Sequence, residues 1–465
     1  MLLGRQLLRT ASRGSRASVV PQALTRSIAT APPIEFAQRH VSKGLARLSE
    51  DVIERAEGSW VTFRGGRTVL DFTCGIGVTN LGHCHPKVSK AAAEQCLNLV
   101  HGQCGIAYHE PYLRLIERLL TIVPHASLDS FFFANSGSEA VEAALKMARG
   151  ITRKQNIVAM QGAFHGRTFG AMAVTKSKTV YADGSSPLMP GVVTSPFPYW
   201  HHFNSAPGAD DAELVRASLY QLELLLLQQS APSDTAAVIV EPVLGEGGYV
   251  PAPPAFLQGL RDICDKNGLL LIIDEVQSGF GRTGRMFNIQ YSGVRPDLLI
   301  MAKGLANGFP LSAVVSPKDL TDKLKPGTMV RLPSTPIEVA DAFQEERILE
   351  NVNARSAELF EALWALKADP TVGPHILDVR GQGLMVAVEF ASPAHSQFDP
   401  AVQKKTPPSM SMRVSKRCLE KGLLLLTTSI YETVRFIPAL NISPEDLGKG
   451  IGIFKEAVEE VIHEA

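Results

Sequence analysis

A chain of 465 residues that is 45% hydrophobic, with 38 Gly and 30 Pro, has room for a large core and many turns. That length suits about three domains, or one large and one smaller. Its 46 basic and 46 acidic residues cancel to a formal net charge of zero, so no basic field is available for a phosphate backbone and nucleic acid is not expected as a partner. No apolar run reaches the roughly 18 residues of a membrane helix; the run at Leu224–Leu227 is interrupted by Glu223 and Gln228.

In chain order, residues 1–30 carry Arg5, Arg9, Arg13, Arg16 and Arg26 among Ser and Ala, and the first acid is Glu35. An Arg-rich start without acids is expected to be a mitochondrial transit peptide, which would send the chain to the matrix. A basic amphipathic arm is the plainer alternative. Residues 53–63 and 69–72 read as strands around an Arg64-Gly-Gly-Arg67 turn, followed by a Gly-rich loop over 74–83 and a helix over 87–99. Residues 31–100 are therefore expected to form an N-terminal arm and part of a smaller domain. Cys74, His83, Cys84 and His85 crowd together, but neighbours flanking Pro86 point apart, and no metal site is expected. The six cysteines show no CxxC spacing, so reduced and mostly buried thiols are expected.

A strand over 130–134 runs into Asn135-Ser-Gly-Ser138, and a helix follows with Ala140, Val141, Ala144, Leu145 and Ala148 on one face. Small residues at a helix start leave N–H groups open where the macrodipole favours an anion. Ser136, Gly137 and Ser138 thus suit a phosphate, or Ser136 is an ordinary N-cap. After a strand over 156–160 come Phe164, able to cover a planar ring, and Arg167, able to hold a carboxylate; a core aromatic and a surface cation read equally well. A strand over 236–240 ends at Glu241, and a helix covers 256–266. The alternation from about 105 to 325 predicts an α/β domain with a mostly parallel sheet flanked by helices, assigned to 101–328. Residues 343–366 read as a helix, 376–381 and 384–390 as paired strands, 412–421 as a helix, 433–436 as a strand and 445–465 as a helix. This C-terminal part, 329–465, is expected to be a smaller α+β domain.

The centre of the chain holds two apolar runs, 269–273 and 298–302, neither of which alternates. Strands buried on both faces of a parallel sheet read this way. Asp274 follows the first and Lys303 the second, at the strand ends where open α/β sheets collect ligands. A carboxylate and an amine delivered there suit pyridoxal phosphate, whose aldehyde takes a Lys and whose ring nitrogen takes an Asp. Singly, each residue reads as a turn former or a solvated cation.

Five motifs occur in one order: Asn135-Ser-Gly-Ser-Glu-Ala, Phe164-His-Gly-Arg-Thr, Glu241-Pro-Val-Leu-Gly-Glu-Gly-Gly, Ile273-Asp-Glu-Val-Gln-Ser-Gly-Phe-Gly-Arg-Thr-Gly and Ala302-Lys-Gly. In this the chain, from about residue 35 onward, resembles the class III aminotransferases, whose architecture is the fold-type I of pyridoxal-phosphate enzymes. The resemblance implies that Lys303 carries pyridoxal 5′-phosphate and shuttles a proton, while Asp274 pairs with the ring nitrogen. It implies that Val276 packs under the ring with Phe164 and His165 on the other side. Gln277 would approach the phenolic oxygen, Ser136, Gly137 and Ser138 would hold the phosphate, and Glu241 would belong to the same cofactor site. Arg435 matches an arginine that grips an α-carboxylate, and Glu246 the glutamate that covers it when an ω-amino substrate binds. Ile76 and Arg167 match positions used by 4-aminobutyrate aminotransferases, with Arg167 on the distal carboxylate. The implied reaction moves an amino group from 4-aminobutyrate to 2-oxoglutarate in a homodimer whose sites lie at the subunit interface. Acetylornithine and ornithine aminotransferases share most of these residues.

The resemblance lapses over residues 330–341. The family has a Gly-Gly-Thr segment there, whose Thr reaches the partner subunit's cofactor phosphate; this chain reads Val330-Arg-Leu-Pro-Ser-Thr-Pro-Ile-Glu-Val-Ala-Asp341. A cofactor-poor homologue that binds without catalysing is the alternative that this departure leaves open.

Overall fold

The computed structural model of the protein describes residues 33–329, 339–391, 406–407 and 409–464. The expected transit peptide, residues 1–30, and most of the departing segment, residues 330–338, lie outside the described residues. The described residues 33–52 belong to one unit, in which Pro33–His40 is a helix. Residues 53–465 form the other.

At the centre of this second unit is a seven-stranded sheet. Its spatial order is Ser130–Ala134, Ser312–Ser316, Leu298–Met301, Leu270–Asp274, Thr235–Val240, Asn156–Met160 and Val192–Ser195. All pairings are parallel except the two made by Ser312–Ser316. Leu271, Ile272, Ile273, Leu298, Leu299 and Ile300 are fully buried, which is why neither run alternates: helices cover both faces and no position can face water. On one face the helix Gly137–Thr152 buries Ala140, Val141, Ala144, Leu145 and Ala148. The three alanines among them leave little side-chain bulk between helix and sheet.

N- and C-terminal segments combine beside this sheet. Ile53–Glu57, Trp60–Phe63 and Thr68–Asp71 form a meander that Leu423–Leu424 extends in parallel, pairing Leu423 with Leu70. Ile376–Gln382, Met385–Phe390, Thr433–Phe436 and Leu426–Thr428 form a second, antiparallel sheet. The terminal helix Pro444–His463 is tied to the meander by a hydrogen bond from Trp60 Nε1 to Asp446 Oδ2 at 3.0 Å.

Several expectations need correction. Residues 53–63 are not one strand: Gly58, at φ 54°, turns them into a hairpin. The helix over 343–366 is two, Val339–Glu345 and Ile348–Ala368, broken where Arg347 adopts φ 50°. The apolar run near residue 224 belongs to the helix Asp211–Gln228, capped by Asp210 through Ala212 N; Leu222, Leu225 and Leu226 are buried while Leu227 is 82% exposed. The helix Glu110–Leu120 and the antiparallel strand Ser312–Ser316 have no counterpart in the sequence reading. The thiols are only half as expected: Cys74, Cys264 and Cys418 are buried, but Cys84 and Cys96 are exposed.

Candidate active site

Asp274 is the last residue of its strand and pairs in register with Ile300, so Lys303 emerges at the same edge of the sheet one strand away. Strand neighbours lie about 5 Å apart, and the carboxylate and amine are thereby delivered to one place. Lys303 sits at φ 47°, a left-handed conformation uncommon outside glycine and concentrated at functional sites. Burial of the amine pushes its pKa down to about 8, against the opposing pull of Glu246, Asp274 and Glu241 and with Arg435 assisting. All four groups are therefore within electrostatic reach of the one nitrogen.

Asp274 is buried and doubly held. Its Oδ2 meets His165 Nδ1 at 2.7 Å, and its Oδ1 accepts from Val276 N at 3.0 Å. The pairing with His165 adds to the ring-covering place implied for that residue. His165 Nε2 and Gln277 Oε1 are both buried without a hydrogen-bond partner, and a buried polar group left unpaired costs about 1–3 kcal/mol. Glu241 takes Phe164 N at 2.8 Å and Gly245 N at 3.0 Å; burial still pushes its carboxyl up to about 7.

The helix at Gly137 begins against this group. A Cβ on Gly137 would stand 3.1 Å from Val276 and 3.7 Å from Ala302, the neighbour of Lys303. Ser136 caps the helix: its Oγ accepts from Glu139 N, while Glu139 Oε2 accepts from the N–H groups of Asn135 and Ser136. The cap uses the Ser136 hydroxyl only as an acceptor, so its O–H can still donate. The N–H groups of Gly137 and Ser138 lie in the first turn, where a helix supplies no carbonyl for them. Ser138 Oγ accepts from Arg167 N at 3.2 Å, tying this turn to the loop that carries Arg167.

Also within electrostatic reach of Lys303, Arg435 Nη1 meets Glu246 Oε1 at 2.5 Å, with both side chains buried. Burial opposes ionisation of Glu246, but the charges of Arg435, Lys178 and Lys303 together hold its carboxyl below the usual range. Glu246 sits in the turn between the short strands Val243–Leu244 and Val250–Pro251. That turn is pinned by Ser429 N on Glu246 O and by Arg380 Nε on Gly248 O. Arg380 is in turn bound to Glu389, which also takes Tyr199 and His201.

Arg167 is exposed, its guanidinium 4.7 Å from the Tyr181 ring centroid and 6.0 Å from that of Phe164. Ile76 is half-buried at φ 67°, a strained setting for a β-branched residue. The next residue, Gly77, approaches Ile437 and Gln277 so closely that a Cβ would meet both. The loop carrying Ile76 is thereby seated beside Gln277. The structure brings together Lys303, Asp274, His165, Glu241, Glu246 and Arg435, and sets Val276 and Gly137 against them. His83 and His85 turn instead to Asp71 and Glu346. Lys178, Tyr181 and Arg380 were missed by the sequence reading, because none stands at a strand end or in a motif.

The profile of the aminotransferase class-III family matches residues 45–458. The chain belongs to the class-III aminotransferases. Among curated proteins it is 36% identical over 432 residues to the 5-aminovalerate aminotransferase DavT of Pseudomonas aeruginosa, covering 91% of this chain and 97% of that one. It is 35% identical over 429 residues to the 4-aminobutyrate aminotransferase GabT of Escherichia coli, covering 90% and 96%. Among solved structures, an (S)-enantioselective omega-transaminase of Thermomicrobium roseum superposes with a TM-score of 0.82 at 28% identity, over 92% of this chain and 98% of that chain. The fold is that of the fold-type I transaminases.

Class-III aminotransferases use pyridoxal 5′-phosphate, and the residues here fit it. Two buried polar atoms, His165 Nε2 and Gln277 Oε1, lack partners; His165 is bonded to the Asp274 carboxylate through its other nitrogen, and Gln277 lies beside Glu241 at Gly245. The first turn at Gly137 offers N–H groups and positive dipole to a phosphate.

Proposed function

We propose that this class-III aminotransferase moves the amino group of an ω-amino acid, 4-aminobutyrate foremost, to 2-oxoglutarate in two alternating half-reactions, giving succinate semialdehyde and glutamate. The observation that carries this reading is the buried Glu246–Arg435 pair next to Lys303.

Lys303, Asp274, Gln277, Val276, Phe164, His165, Glu241 and the Ser136-Gly137-Ser138 turn would hold the cofactor. When bound, its cationic ring accepts the electron pair left as the amine-bearing carbon of the substrate loses its proton. Lys303 Nζ, with a pKa near 8, is poised to take that proton and return it, since a general base works best near the operating pH. Asp274, oriented by His165 Nδ1 and Val276 N, would face the ring nitrogen and favour its protonated form.

Arg435 and Glu246 decide which substrate fits. An ω-amino acid brings no carboxylate to the amine-bearing carbon, and Glu246 then neutralises Arg435. 2-Oxoglutarate brings one, which displaces Glu246 and takes the guanidinium in a bidentate grip. Arg167, at the mouth, takes the distal carboxylate in both halves, and Ile76 bounds the chain between.

The homodimer belongs to the same proposal. Leu97 and Ile106 are 88% and 86% exposed, with Val100 and Tyr108 near them in sequence and also exposed, an apolar surface a second copy of the chain would cover. Import into mitochondria is proposed from the composition of residues 1–30 alone.

The test is a donor panel: purified protein with pyridoxal phosphate and 2-oxoglutarate, read as glutamate formed from 4-aminobutyrate, 5-aminovalerate, ornithine and N-acetylornithine. The expected order puts 4-aminobutyrate first. Glutamate from N-acetylornithine alone would overturn the substrate assignment, and none from any donor would leave the cofactor-poor reading.

A further inference from the structure

Tyr181 closes a short 3-10 turn, Thr179–Tyr181, that belongs to none of the five motifs. Its hydroxyl donates to Glu246 Oε2 at 3.0 Å, while Oε1 of the same carboxylate is taken by Arg435. Glu246 is therefore held by a donor on each oxygen. Lys178 Nζ approaches the same Oε2 at 3.8 Å. The ring does separate work: it lies under the Arg167 guanidinium and meets the Phe164 ring edge-on at 5.1 Å. Burial and the nearby Glu246 raise the phenol's pKa above its ordinary value, so the hydroxyl stays a donor throughout the working range.

Such a clamp acts unequally on the two halves of the reaction. With an ω-amino substrate Glu246 must stay on Arg435, and the Tyr181 bond helps it stay. With a 2-oxo acid Glu246 must leave, and the same bond has to break. An interaction present in one state and absent in the other shifts the balance between them by its own strength.

We propose that Tyr181 is a specificity-determining positioning residue, whose hydroxyl latches Glu246 over Arg435 and so sets the preference between ω-amine and 2-oxo acid. This rests on the Glu246–Arg435 switch proposed above. Tyr181→Phe isolates the latch, because the ring and its packing against Arg167 and Phe164 are kept.

The experiment measures kcat/KM for each half-reaction separately, 4-aminobutyrate with the pyridoxal form and 2-oxoglutarate with the aminated form, by stopped-flow absorbance. Wild type, Tyr181→Phe, Glu246→Ala and the double variant are compared. Losing a hydrogen bond to a charged group is worth about tenfold. The ratio of 2-oxoglutarate to 4-aminobutyrate specificity is accordingly expected to rise about tenfold in Tyr181→Phe, and not to rise further when Tyr181→Phe is added to Glu246→Ala. A ratio that moves in Glu246→Ala but not in Tyr181→Phe refutes the latch and leaves the switch standing. A ratio unmoved in both removes the switch and the latch together. An equal shift from Tyr181→Phe with and without Glu246 also refutes the latch, since the hydroxyl would then act elsewhere.

Discussion

Asp274 and His165 lie on different strand ends, 109 residues apart in sequence, and meet at 2.7 Å with both side chains buried. His165 and the Val276 N–H each take one oxygen of Asp274 and so fix the direction of the carboxylate that would meet a ring nitrogen. Asp274→Asn retains the shape and removes the charge. It is expected to lower kcat for amino transfer by about a hundred- to a thousandfold, the range for losing one preorganised electrostatic partner. Steady-state kinetics at saturating pyridoxal phosphate check this, and a kcat within threefold of wild type would contradict the role given to Asp274.

Lys303 gives a prediction that requires no turnover. Burial pushes its amine down to about 8, more than two pH units below an ordinary lysine at about 10.4. In cofactor-free protein, acylation of Lys303 is expected to reach half its maximal rate near pH 8. A reference peptide carrying an ordinary exposed lysine, at about 10.4, should still be climbing there. Peptide mass spectrometry after brief labelling at stepped pH reads both sites at once. Glu246→Ala should lower the Lys303 midpoint further, because Glu246 favours the charged amine. Coincident profiles for the two lysines would rule out the desolvated environment.

The parallel strands and their charged ends were legible because complete burial leaves a sequence mark. Residues 270–273 and 298–301 cannot alternate when both faces are covered, and Asp274 and Lys303 stand where each run stops. The helix start at Gly137 was legible too, since Ser136 does cap the helix. Ser312–Ser316 left less of a mark. It is as buried as its neighbours, but nothing in Ser-Ala-Val-Val-Ser states its direction. Tyr181, Lys178 and Arg380 were illegible for a different reason: their importance comes only from which partner the fold brings to them. Tyr181 is 65 residues from Glu246 and Arg380 is 132 from Gly248, and no local pattern encodes such a meeting.

The Glu246–Arg435 pair predicts a stability effect as well as a specificity one. Removing one member of a buried pair strands the other and costs about 3–5 kcal/mol, while replacing both with neutral groups of similar size is far less costly. Arg435→Met is expected to fall in this range and to impair the 2-oxoglutarate half-reaction more than the 4-aminobutyrate one. Glu246→Gln with Arg435→Met should recover most of the lost stability. Thermal unfolding of the two single variants and the double variant forms a coupling cycle. Additive losses would mean that the two residues do not act as a pair.

Glu241 predicts how stability changes with pH. Burial raises its carboxyl from 4.5 to about 7 despite hydrogen bonds from Phe164 N and Gly245 N. The folded chain therefore binds this proton more tightly than the unfolded chain does. Between pH 4.5 and 7 the folded state keeps a proton that the unfolded state has released, so this group's contribution to stability falls as pH rises, and it is level above about 7. Glu275, also raised to about 7 by burial, adds a slope of the same sign. Glu241→Gln removes one of the two. Comparing urea unfolding of cofactor-free wild type and variant at fixed protein concentration, the variant should gain up to about 3 kcal/mol relative to wild type between pH 4.5 and 7. Any constant offset from the altered hydrogen bonds would leave that slope unchanged. Parallel stability curves across the window would mean that Glu241 is already ionised at its lower end, and that the two N–H donors outweigh burial.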